Sequence, residues 1–365
     1  MSILNDFSAL TVLGWKPLFL QSLTPAELTD YVIGRITEVE RDQYRVQSCS
    51  GEYLARLPGR FHYRANDDSD YPTVGDWVTL SGCEATDTTL IQRLLPRCST
   101  LSRGGLEAAT ERQLLCANVD TALIVSSLNQ EFNLRRLERY ITLVRGAGVS
   151  VLVVLTKADL CDAPEALLEL TRSRLRLAAV VALNTLQDDA RALLAPWLLA
   201  GDTLAVLGSS GVGKSTLINN LAGRPLQQTQ AVRTADAKGR HTTTRRSLFQ
   251  LPGGVCVIDT PGMRELKLTA DENALDAGFT DIQALIGQCY FSDCSHQSEP
   301  GCAVVAALAD GTLQADRWRN YQRLAGEQRQ QSQQAEAIHE RRERAKSFAR
   351  MVKQAKRGKK QRHEY

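Results

Sequence analysis

The sequence predicts an α/β domain with a phosphate-binding loop, preceded by a small β-barrel and followed by a mainly helical, metal-binding domain. Three observations support this fold class. Short strand-like runs crowd residues 31–97, strands alternate with helices across residues 113–280, and three cysteines and a histidine lie within residues 289–302. With 365 residues, 43% of them hydrophobic, the chain is long enough for two or three domains with buried cores.

The first part of the chain is a lead-in followed by the barrel. In residues 1–30 we expect one short helix, Thr24–Tyr31, because Thr24 is a favoured N-cap and Pro25 fits the first helical turn. Five short strands in succession favour an OB-fold, which often binds oligonucleotides. An SH3-like barrel, or a barrel that only supports the next domain, is the alternative. The expected strands are Val32–Val39, Gln43–Gln47, Glu52–Leu57, Asp76–Leu80 and Thr89–Leu95.

A linker and then the α/β domain follow the barrel. Residues 98–112 are polar and contain Arg103-Gly104-Gly105, a composition typical of a linker. Beyond them, apolar strands alternate with amphipathic helices, which predicts a mainly parallel sheet with helices on both faces. The expected strands are Thr121–Ser126, Val151–Leu155, Ala178–Leu183, Thr203–Leu207 and Gly254–Asp259.

The phosphate-binding loop is the most specific motif. Residues 208–215 are Gly-Ser-Ser-Gly-Val-Gly-Lys-Ser, which fits G-x-x-x-x-G-K-[ST] between a strand and a helix. The glycines let backbone N–H groups surround a phosphate, Lys214 would reach the β- and γ-phosphates, and Ser215 would bind Mg²⁺. The candidate nucleotide contacts are Gly208, Ser209, Ser210, Gly211, Val212, Gly213, Lys214, Ser215 and Thr216.

Two further segments indicate which nucleotide binds. Asp259-Thr-Pro-Gly262 follows a strand, so Asp259 would lie on the Mg²⁺ side and the Gly262 N–H could contact a γ-phosphate. Thr156-Lys157-Ala158-Asp159 also follows a strand and resembles the guanine-binding N-K-x-D element of GTPases. There the carboxylate of Asp159 would accept two hydrogen bonds that adenine has no donors to make, and Lys157 would lie along the base.

The guanine-binding segment departs from the usual pattern at two places. Thr156 replaces Asn, and a hydroxyl offers fewer hydrogen bonds than an amide. A Ser-Ala contact to the guanine oxygen is expected near residues 181–184, where this chain has Val-Ala-Leu-Asn. Both changes predict weaker nucleotide contacts, whereas the aspartate that selects guanine is present.

The order of these segments is unusual. The guanine-binding element precedes the phosphate loop and Asp259 comes last, whereas ordinary small GTPases begin with the phosphate loop. A site built on a sheet tolerates such a circular permutation when the termini are rejoined at the surface. In this order, and in the cysteine cluster, residues 31–325 resemble the ribosome small subunit-dependent GTPase A family. The resemblance also rests on Val74-Gly-Asp-Trp77, Ala117-Asn-Val-Asp120 and Gly239-Arg-His-Thr-Thr-Thr244.

The resemblance implies an OB-fold, a circularly permuted GTPase domain and a zinc domain. It further implies binding to the 30S ribosomal subunit late in its assembly and GTPase activity that this subunit stimulates. In the family's pattern Thr243 contacts Mg²⁺ and the γ-phosphate, and His241 orients the attacking water. Met263 gives the second role a physical motive, because many GTPases have a water-orienting Gln just after the D-x-x-G segment. RNA binding or loop capping is the alternative role for His241.

The cysteine cluster predicts a metal site. Cys289, Cys294, His296 and Cys302 supply three thiolates and one imidazole, the ligand set of closed, tetrahedral structural zinc sites. Such a site leaves no position open for catalysis. The other six cysteines are scattered, and we expect them to be small core residues, since disulfides are rare in chains without an export signal.

The charge of the chain is unevenly distributed. Residues 341–365 hold 11 of the 44 Lys and Arg but only 2 of the 41 Asp and Glu, so the remainder of the chain is acidic. Such a basic tail is typical of nucleic-acid binding, with a merely solvated tail as the alternative. No apolar run is long enough to cross a membrane and no signal peptide is recognisable. We therefore expect a cytoplasmic protein without membrane contact, and a monomer.

The leading hypothesis is a GTPase that binds the 30S subunit and its 16S rRNA, with one structural zinc and with magnesium accompanying GTP. The alternatives are a P-loop ATPase or small-molecule kinase, and an RNA-binding assembly protein with a vestigial nucleotide site. The expected domains are a lead-in at 1–30, an OB-fold at 31–97, a circularly permuted GTPase domain at 113–280, a zinc-binding domain at 281–335 and a basic tail at 336–365.

Overall fold

The computed structural model describes residues 5–40, 43–64, 68–83, 88–104, 112–129, 132–227, 246–260, 275, 276, 278–330 and 333. The helices are α1 (Phe7–Thr11), α2 (Pro17–Gln21), α3 (Pro25–Asp30), α4 (Gly59–Arg64), α5 (Leu134–Gly146), α6 (Pro164–Leu175), α7 (Ala190–Leu194), α8 (Lys214–Ala222), α9 (Thr280–Ile286), α10 (Ala303–Ala309) and α11 (315–330). The strands are β1 (Val32–Val39), β2 (Tyr44–Ser48), β3 (Gly51–Arg56), β4 (Trp77–Ser81), β5 (Thr89–Leu94), β6 (Thr100–Gly104), β7 (Arg112–Ala117), β8 (Thr121–Ser127), β9 (Ser150–Thr156), β10 (Val180–Ala182), β11 (Thr203–Leu207), β12 (Ser247–Leu251) and β13 (Val255–Asp259).

The first five strands form a closed barrel. Their order is β1-β2-β3-β5-β4, and β4 pairs back with β1. β3 and β5 run parallel, whereas the other neighbours are antiparallel. Alternate side chains such as Ile36, Val46, Leu80 and Ile91 fill the interior. The predicted barrel is therefore confirmed, and its strand order is that of an OB-fold rather than a simple up-and-down barrel.

The lead-in contains more structure than the sequence predicts. α3 forms where it is expected, and Thr24 and Glu27 make a reciprocal capping box at its start. α1 and α2 precede it, and each has only five residues, too few for a helical period to be recognised. Trp15 and Phe19 pack against Trp77 of β4, with ring centroids 4.8 and 5.9 Å away. The lead-in is thus an integral part of the barrel.

The first part of the segment predicted as a linker, residues 98–112, forms a strand at Thr100–Gly104. β6 and β7 pair as an antiparallel ribbon with Thr100 opposite Ala117. Leu101 on β6 and Leu115 on β7 are buried in the core of the α/β domain. The linker prediction was therefore wrong for residues 100–104, because the polar composition of β6 hid a strand whose Leu101 packs into this core.

The α/β domain is built on a six-stranded part of the large sheet, in the order β10-β9-β8-β11-β13-β12. The first five of these strands are parallel, and β12 is antiparallel to β13. The sequence did not predict β12, although Gly253 and Gly254, both with positive φ, are a hairpin turn signal. α5 and α6 bury Leu137 and Leu175 on one face of the sheet, and α8 buries Leu217 on the other. The predicted two-sided sheet is confirmed.

The C-terminal domain has a separate core. α9, α10 and α11 surround a cluster that includes Phe279, Val304, Trp318 and Leu324. The predicted helix Ala303–Ala309 and the helix from Ala315 onward are both confirmed. In the part of the chain that the structure describes, no helix has both the length and the apolar character to cross a membrane.

The barrel and the α/β domain meet around a fully buried arginine, Arg35 of β1. Its guanidinium donates to the carbonyl oxygens of Leu13, Gly75 and Asn118 and to the Thr203 hydroxyl, the last at 2.8 Å. Gly75 and Asn118 belong to the two short motifs at 74–77 and 117–120. The structure brings these motifs together, because the Asn118 side chain also donates to the Gly75 carbonyl oxygen at 3.0 Å.

The α/β domain and the C-terminal domain meet along α5. Arg317 of α11 forms an ion pair across this contact with Glu138 of α5 at 2.9 Å, and a second one with Asp281 of α9, within the C-terminal domain, at 2.7 Å. Arg139 of α5 pairs with Glu327 of α11, and Asn320 donates to Glu138. This contact is therefore mainly polar, although Leu143 of α5 also packs against the C-terminal core, and α5 supplies most of its α/β-domain side.

Candidate nucleotide site and metal centre

The loop between β11 and α8 has the backbone geometry of a phosphate-binding loop. Gly208 approaches β8 so closely that a Cβ there would lie 2.3 Å from the Val125 carbonyl oxygen. Gly213 precedes α8 with φ at 93°, a conformation that L side chains rarely adopt. The N–H groups in the first turn of α8 have no partner within the helix, which suits them to bind an anion.

Lys214 lies over this loop. Its Nζ donates to the carbonyl oxygens of Gly208 and Ser209, at 2.8 and 2.6 Å. Burial lowers the pKa of Lys214, and the negative charge of Asp259 opposes that shift. Asp259 is buried at the end of β13, opposite Val206 of β11. A cation and a carboxylate are thus placed beside the loop, the two charges that a nucleotide phosphate and Mg²⁺ require.

Thr156 links the guanine-binding segment to the phosphate loop. Its side chain is fully buried, and its hydroxyl donates to the Val212 carbonyl oxygen at 2.6 Å. Lys157 follows in the left-handed conformation with φ at 56°, and Asp159 is exposed in the next turn. The sequence predicted fewer hydrogen bonds at Thr156 than an Asn would make. The structure shows that the hydroxyl still joins the two motifs.

The end of β10 lies beside this segment. The Ala158 N–H donates to the Leu183 carbonyl oxygen at 3.4 Å. Asn184 is buried, and its backbone N–H donates to Asp188 Oδ2 at 2.6 Å. Residues 183 and 184 therefore occupy the place where a base contact was expected, with an amide and a carboxylate as the nearby polar groups.

Two residues of α5 that the sequence did not single out also reach the phosphate loop. Arg136 Nη1 donates to Ser209 Oγ at 3.0 Å. Burial raises the pKa of Tyr140, and a hydrogen bond with the Ser209 side chain opposes that shift. Their spacing of four residues places Arg136 and Tyr140 on one face of the helix. That spacing is visible in the sequence, but only the fold shows that this face meets the loop.

Cys289, Cys294, His296 and Cys302 come together and can hold a metal ion. Their candidate ligand atoms all lie within 4.8 Å of one another. His296 Nδ1 is 3.5 Å from Cys289 Sγ and 3.6 Å from Cys302 Sγ, and these two sulfurs are 3.9 Å apart. Trp318 of α11 packs edge-on against the His296 ring at 5.7 Å. The predicted metal-binding cluster is therefore confirmed.

The remaining predicted site residues divide into two groups. Ser210, Gly211, Ser215 and Thr216 lie in the phosphate loop or in the first turn of α8, as expected. His241, Thr243 and Gly262 lie outside the described residues, as does the basic tail at 336–365.

Comparison with known families agrees with this geometry. The model of the RsgA GTPase family matches residues 94–269. A model of the ABC transporter family matches residues 197–362, a range that includes the phosphate loop. "Small ribosomal subunit biogenesis GTPase RsgA 2" of Vibrio parahaemolyticus is 42% identical over 327 residues, which cover 90% of this chain and 88% of the relative. "Small ribosomal subunit biogenesis GTPase RsgA" of Opitutus terrae is 43% identical over 87% of this chain and 89% of its own length.

Two solved structures share the fold. YjeQ from Thermotoga maritima superimposes with a TM-score of 0.59 at 24% identity, over 80% of this chain and 97% of the other. YloQ, described as a circularly permuted GTPase, superimposes with a TM-score of 0.58 at 25% identity, over 82% of this chain and 96% of the other. The predicted fold class, a circularly permuted α/β GTPase domain between a barrel and a metal-binding helical domain, is therefore confirmed.

Proposed function

Because the chain belongs to the RsgA GTPase family, we propose that it hydrolyses GTP to GDP and phosphate, binds the small (30S) ribosomal subunit and acts in the late maturation of that subunit. The relatives described above are biogenesis GTPases of the small subunit by name. The observation that carries the proposal for this chain is the hydrogen bond from Thr156 to Val212. This hydrogen bond holds the segment proposed to bind guanine against the phosphate loop, which supports a single nucleotide site.

Each residue of that site has a role in the proposal. Asp159 recognises the guanine N1 and N2 hydrogens, and its exposure leaves it accessible to a base. Lys214 binds the β- and γ-phosphates. Ser215 and Thr243 hold Mg²⁺ on the side of Asp259, the Gly262 N–H contacts the γ-phosphate, and His241 orients the attacking water. The buried carboxylate of Asp259 beside the loop supports the magnesium assignment.

We assign zinc to the metal centre. With Zn–S bonds of about 2.3 Å and a Zn–N bond of about 2.0 Å, a tetrahedral site has ligand-to-ligand edges of roughly 3.5–3.8 Å. Three of the six ligand-to-ligand separations, at 3.5, 3.6 and 3.9 Å, lie close to these edges, and all of the candidate ligand atoms lie within 4.8 Å of one another. Three thiolates favour zinc over the harder cations. Four protein ligands close the coordination sphere, so the metal would hold the C-terminal domain together and take no part in catalysis.

The partners follow from the same assignment. The barrel has the OB strand order, a fold that binds oligonucleotides in many proteins, and residues 341–365 are strongly basic. We propose that both contact 16S rRNA and that phosphate contacts make the binding weaken as salt rises. A cytoplasmic location and a monomeric state belong to the same proposal.

The decisive experiment measures nucleotide hydrolysis by the purified protein with and without 30S subunits. GTP is compared with ATP, and Lys214→Ala serves as the inactive control. We expect hydrolysis of GTP only, strong stimulation by 30S, and loss of both in the variant. Hydrolysis of ATP at a comparable rate would contradict the guanine assignment. GTP hydrolysis without stimulation would retain the enzyme but remove the ribosomal partner.

A further inference from the structure

The phosphate loop receives a second cation from α5. Arg136 lies in the first turn of that helix, is exposed, and donates from Nη1 to Ser209 Oγ at 3.0 Å. Its neighbour on the same helix face, Tyr140, is 3% exposed and also interacts with Ser209. Two side chains of one helix therefore converge on a single residue of the loop.

Ser209 is contacted from two directions by positive charge. Lys214 Nζ donates to its carbonyl oxygen at 2.6 Å, and Arg136 donates to its hydroxyl. Within the described part of the chain, no carboxylate lies at ion-pair distance from Arg136, whereas the preceding residue, Arg135, pairs with Asp316 at 3.4 Å. Because no described carboxylate neutralises it, the Arg136 guanidinium remains able to bind an anion at the mouth of the loop.

We propose that Arg136 is a catalytic arginine supplied in cis, which moves from Ser209 onto the γ-phosphate in the transition state of GTP hydrolysis. This inference rests on the proposed function. In the step it assists, the water oxygen bonds to the γ-phosphorus as the bond to the β,γ-bridging oxygen breaks. The electron pair of that bond stays on GDP, and the water protons pass to phosphate and solvent. The guanidinium exchanges no proton and stabilises the charge that develops on the phosphoryl oxygens.

The sequence contains a reason for such a group. Met263 stands where many GTPases carry the Gln that orients water, and its thioether cannot perform that role. An arginine near the phosphates lowers the barrier by charge alone. α5 is also the helix that contacts the C-terminal domain through Glu138 and Arg139. A partner that binds the C-terminal domain can therefore change the position of Arg136, because α5 carries both the domain contacts and Arg136.

The test compares four variants in single-turnover hydrolysis of bound GTP, with and without 30S subunits. Arg136→Ala removes the side chain, Arg136→Gln keeps a hydrogen-bond donor for Ser209 without the charge, and Arg136→Lys keeps the charge. Arg135→Ala is the matched control on the same turn of the helix. Affinity for a fluorescent GDP analogue, mant-GDP, is measured for every protein.

We expect Arg136→Ala and Arg136→Gln to lower the 30S-stimulated rate by about 10²-fold or more, in line with other arginines of this kind. Arg136→Lys should recover part of the loss, mant-GDP affinity should stay within threefold, and Arg135→Ala should match the wild type. Full activity in Arg136→Ala, recovery in Arg136→Gln, or an equal loss of mant-GDP affinity would each overturn the inference. A wild-type protein without GTPase activity would instead remove the proposed function, and this inference with it.

Discussion

The two domain contacts of this protein use an arginine in opposite ways. Arg35 joins the barrel to the α/β domain, is fully buried, and hydrogen-bonds to backbone carbonyls and one hydroxyl. Arg317 joins the α/β domain to the C-terminal domain, retains 13% of its side-chain exposure, and pairs with two carboxylates. The first contact resembles a protein core, and the second resembles a polar interface.

The surroundings of each arginine reinforce this difference. Both guanidinium groups lie over an aromatic ring, Arg35 over Trp77 at 5.6 Å and Arg317 over Phe279 at 4.8 Å. At Arg35, in addition, the lead-in covers the junction. Beside Arg317, a cleft of about 490 Å³ opens between α5, α6 and the start of α11. At Arg35, a small displacement of the guanidinium would break its hydrogen bonds to the carbonyl oxygens, because hydrogen bonds depend steeply on distance and angle. At Arg317, ion pairs beside an open cleft can rearrange at little cost.

This difference teaches which part of the molecule is able to move. The lead-in, the barrel and the α/β domain share one buried junction and should behave as a single body. The C-terminal domain has its own core and its own candidate metal centre, and it is attached mainly through charged side chains, with Leu143 of α5 as an apolar contact. We therefore expect changes at the nucleotide site to move the C-terminal domain relative to the rest. Small-angle scattering and hydrogen-exchange profiles that are the same for the GTP and GDP forms would contradict this.

The largest effect should come from removing the metal. Cys294→Ser leaves three ligands, and structural zinc contributes on the order of 10 kcal/mol to small metal-binding domains. We expect loss of bound zinc and rapid proteolysis beyond residue 280, while the barrel and the α/β domain stay folded. Metal content and limited proteolysis measure both outcomes. Cys98→Ser, an exposed cysteine outside the cluster, is the control and should keep its zinc.

The next largest effect should follow loss of Arg35. Arg35→Met leaves the carbonyl oxygens of Leu13 and Asn118 without this donor, which costs roughly 1–3 kcal/mol for each buried group. Relief of the buried charge offsets part of that cost. We expect about 3 kcal/mol lower stability in urea unfolding of the barrel and α/β domain. Arg45→Met, at a half-buried barrel arginine that pairs with Glu52, should change stability by less than about 1 kcal/mol. If Arg35→Met and Arg45→Met lowered the free energy of unfolding equally, the buried hydrogen bonds of Arg35 would not be what makes the first contact strong.

Loss of Arg317 should have a smaller effect that depends on pH. Burial raises the pKa of Glu138 even with Arg317 present. Burial alone would raise the pKa of Asp281 too, but hydrogen bonds and charge from Arg317 hold it below its ordinary value. Arg317→Met should therefore raise the pKa of Glu138 further, and it should raise that of Asp281, which keeps its ion pair with Arg176 at 3.4 Å. We expect a cost of about 2 kcal/mol at pH 7, since these groups are only partly buried.

The sign of the pH dependence follows from these shifts. In the variant, the folded-state pKa of Glu138 lies above its unfolded value, so protonation of Glu138 stabilises the folded form as the pH falls from 7 towards 5. The difference in the free energy of unfolding between variant and wild type should shrink over that interval. A difference that grows towards pH 5 would show that Arg317 stabilises the contact by packing rather than by charge.

The smallest effect should come from Arg135→Ala. Arg135 and Asp316 lie across the same contact, but their side chains are 59% and 57% exposed. Exposed pairs of this kind contribute little to stability because water and salt screen their charges. We expect no measurable change in thermal unfolding at 150 mM salt. A loss as large as that of Arg317→Met would mean that exposure does not set the strength of these ion pairs.

Much of the fold follows from local sequence patterns. The barrel strands, the parallel strands and the helices at 25–30 and 303–309 alternate or cap in recognisable ways. The predictions failed where the pattern was short or mixed. β6 has a polar composition, β7 follows it directly, and β12 is a strand of five residues next to an unrecognised hairpin turn. Leu101 of β6 and Leu115 of β7 pack into the core of the α/β domain, and β12 also pairs with β1, contacts that no local pattern reveals.

The sequence by itself determined the identity of the candidate sites. A phosphate loop and a cysteine–histidine cluster are built from residues close in the chain, so spacing alone reveals their chemistry. Only the tertiary structure decided what joins these units: the hydroxyl of Thr156 at the phosphate loop, the burial of Arg35, and the contact of Arg136 with Ser209. Each contact joins residues that are far apart in the sequence. Thr156 and Val212 are 56 residues apart, Arg35 and its partner Thr203 are 168 apart, and Arg136 and Ser209 are 73 apart. Their geometry depends on how the sheet places distant loops at one edge, which composition and periodicity do not encode.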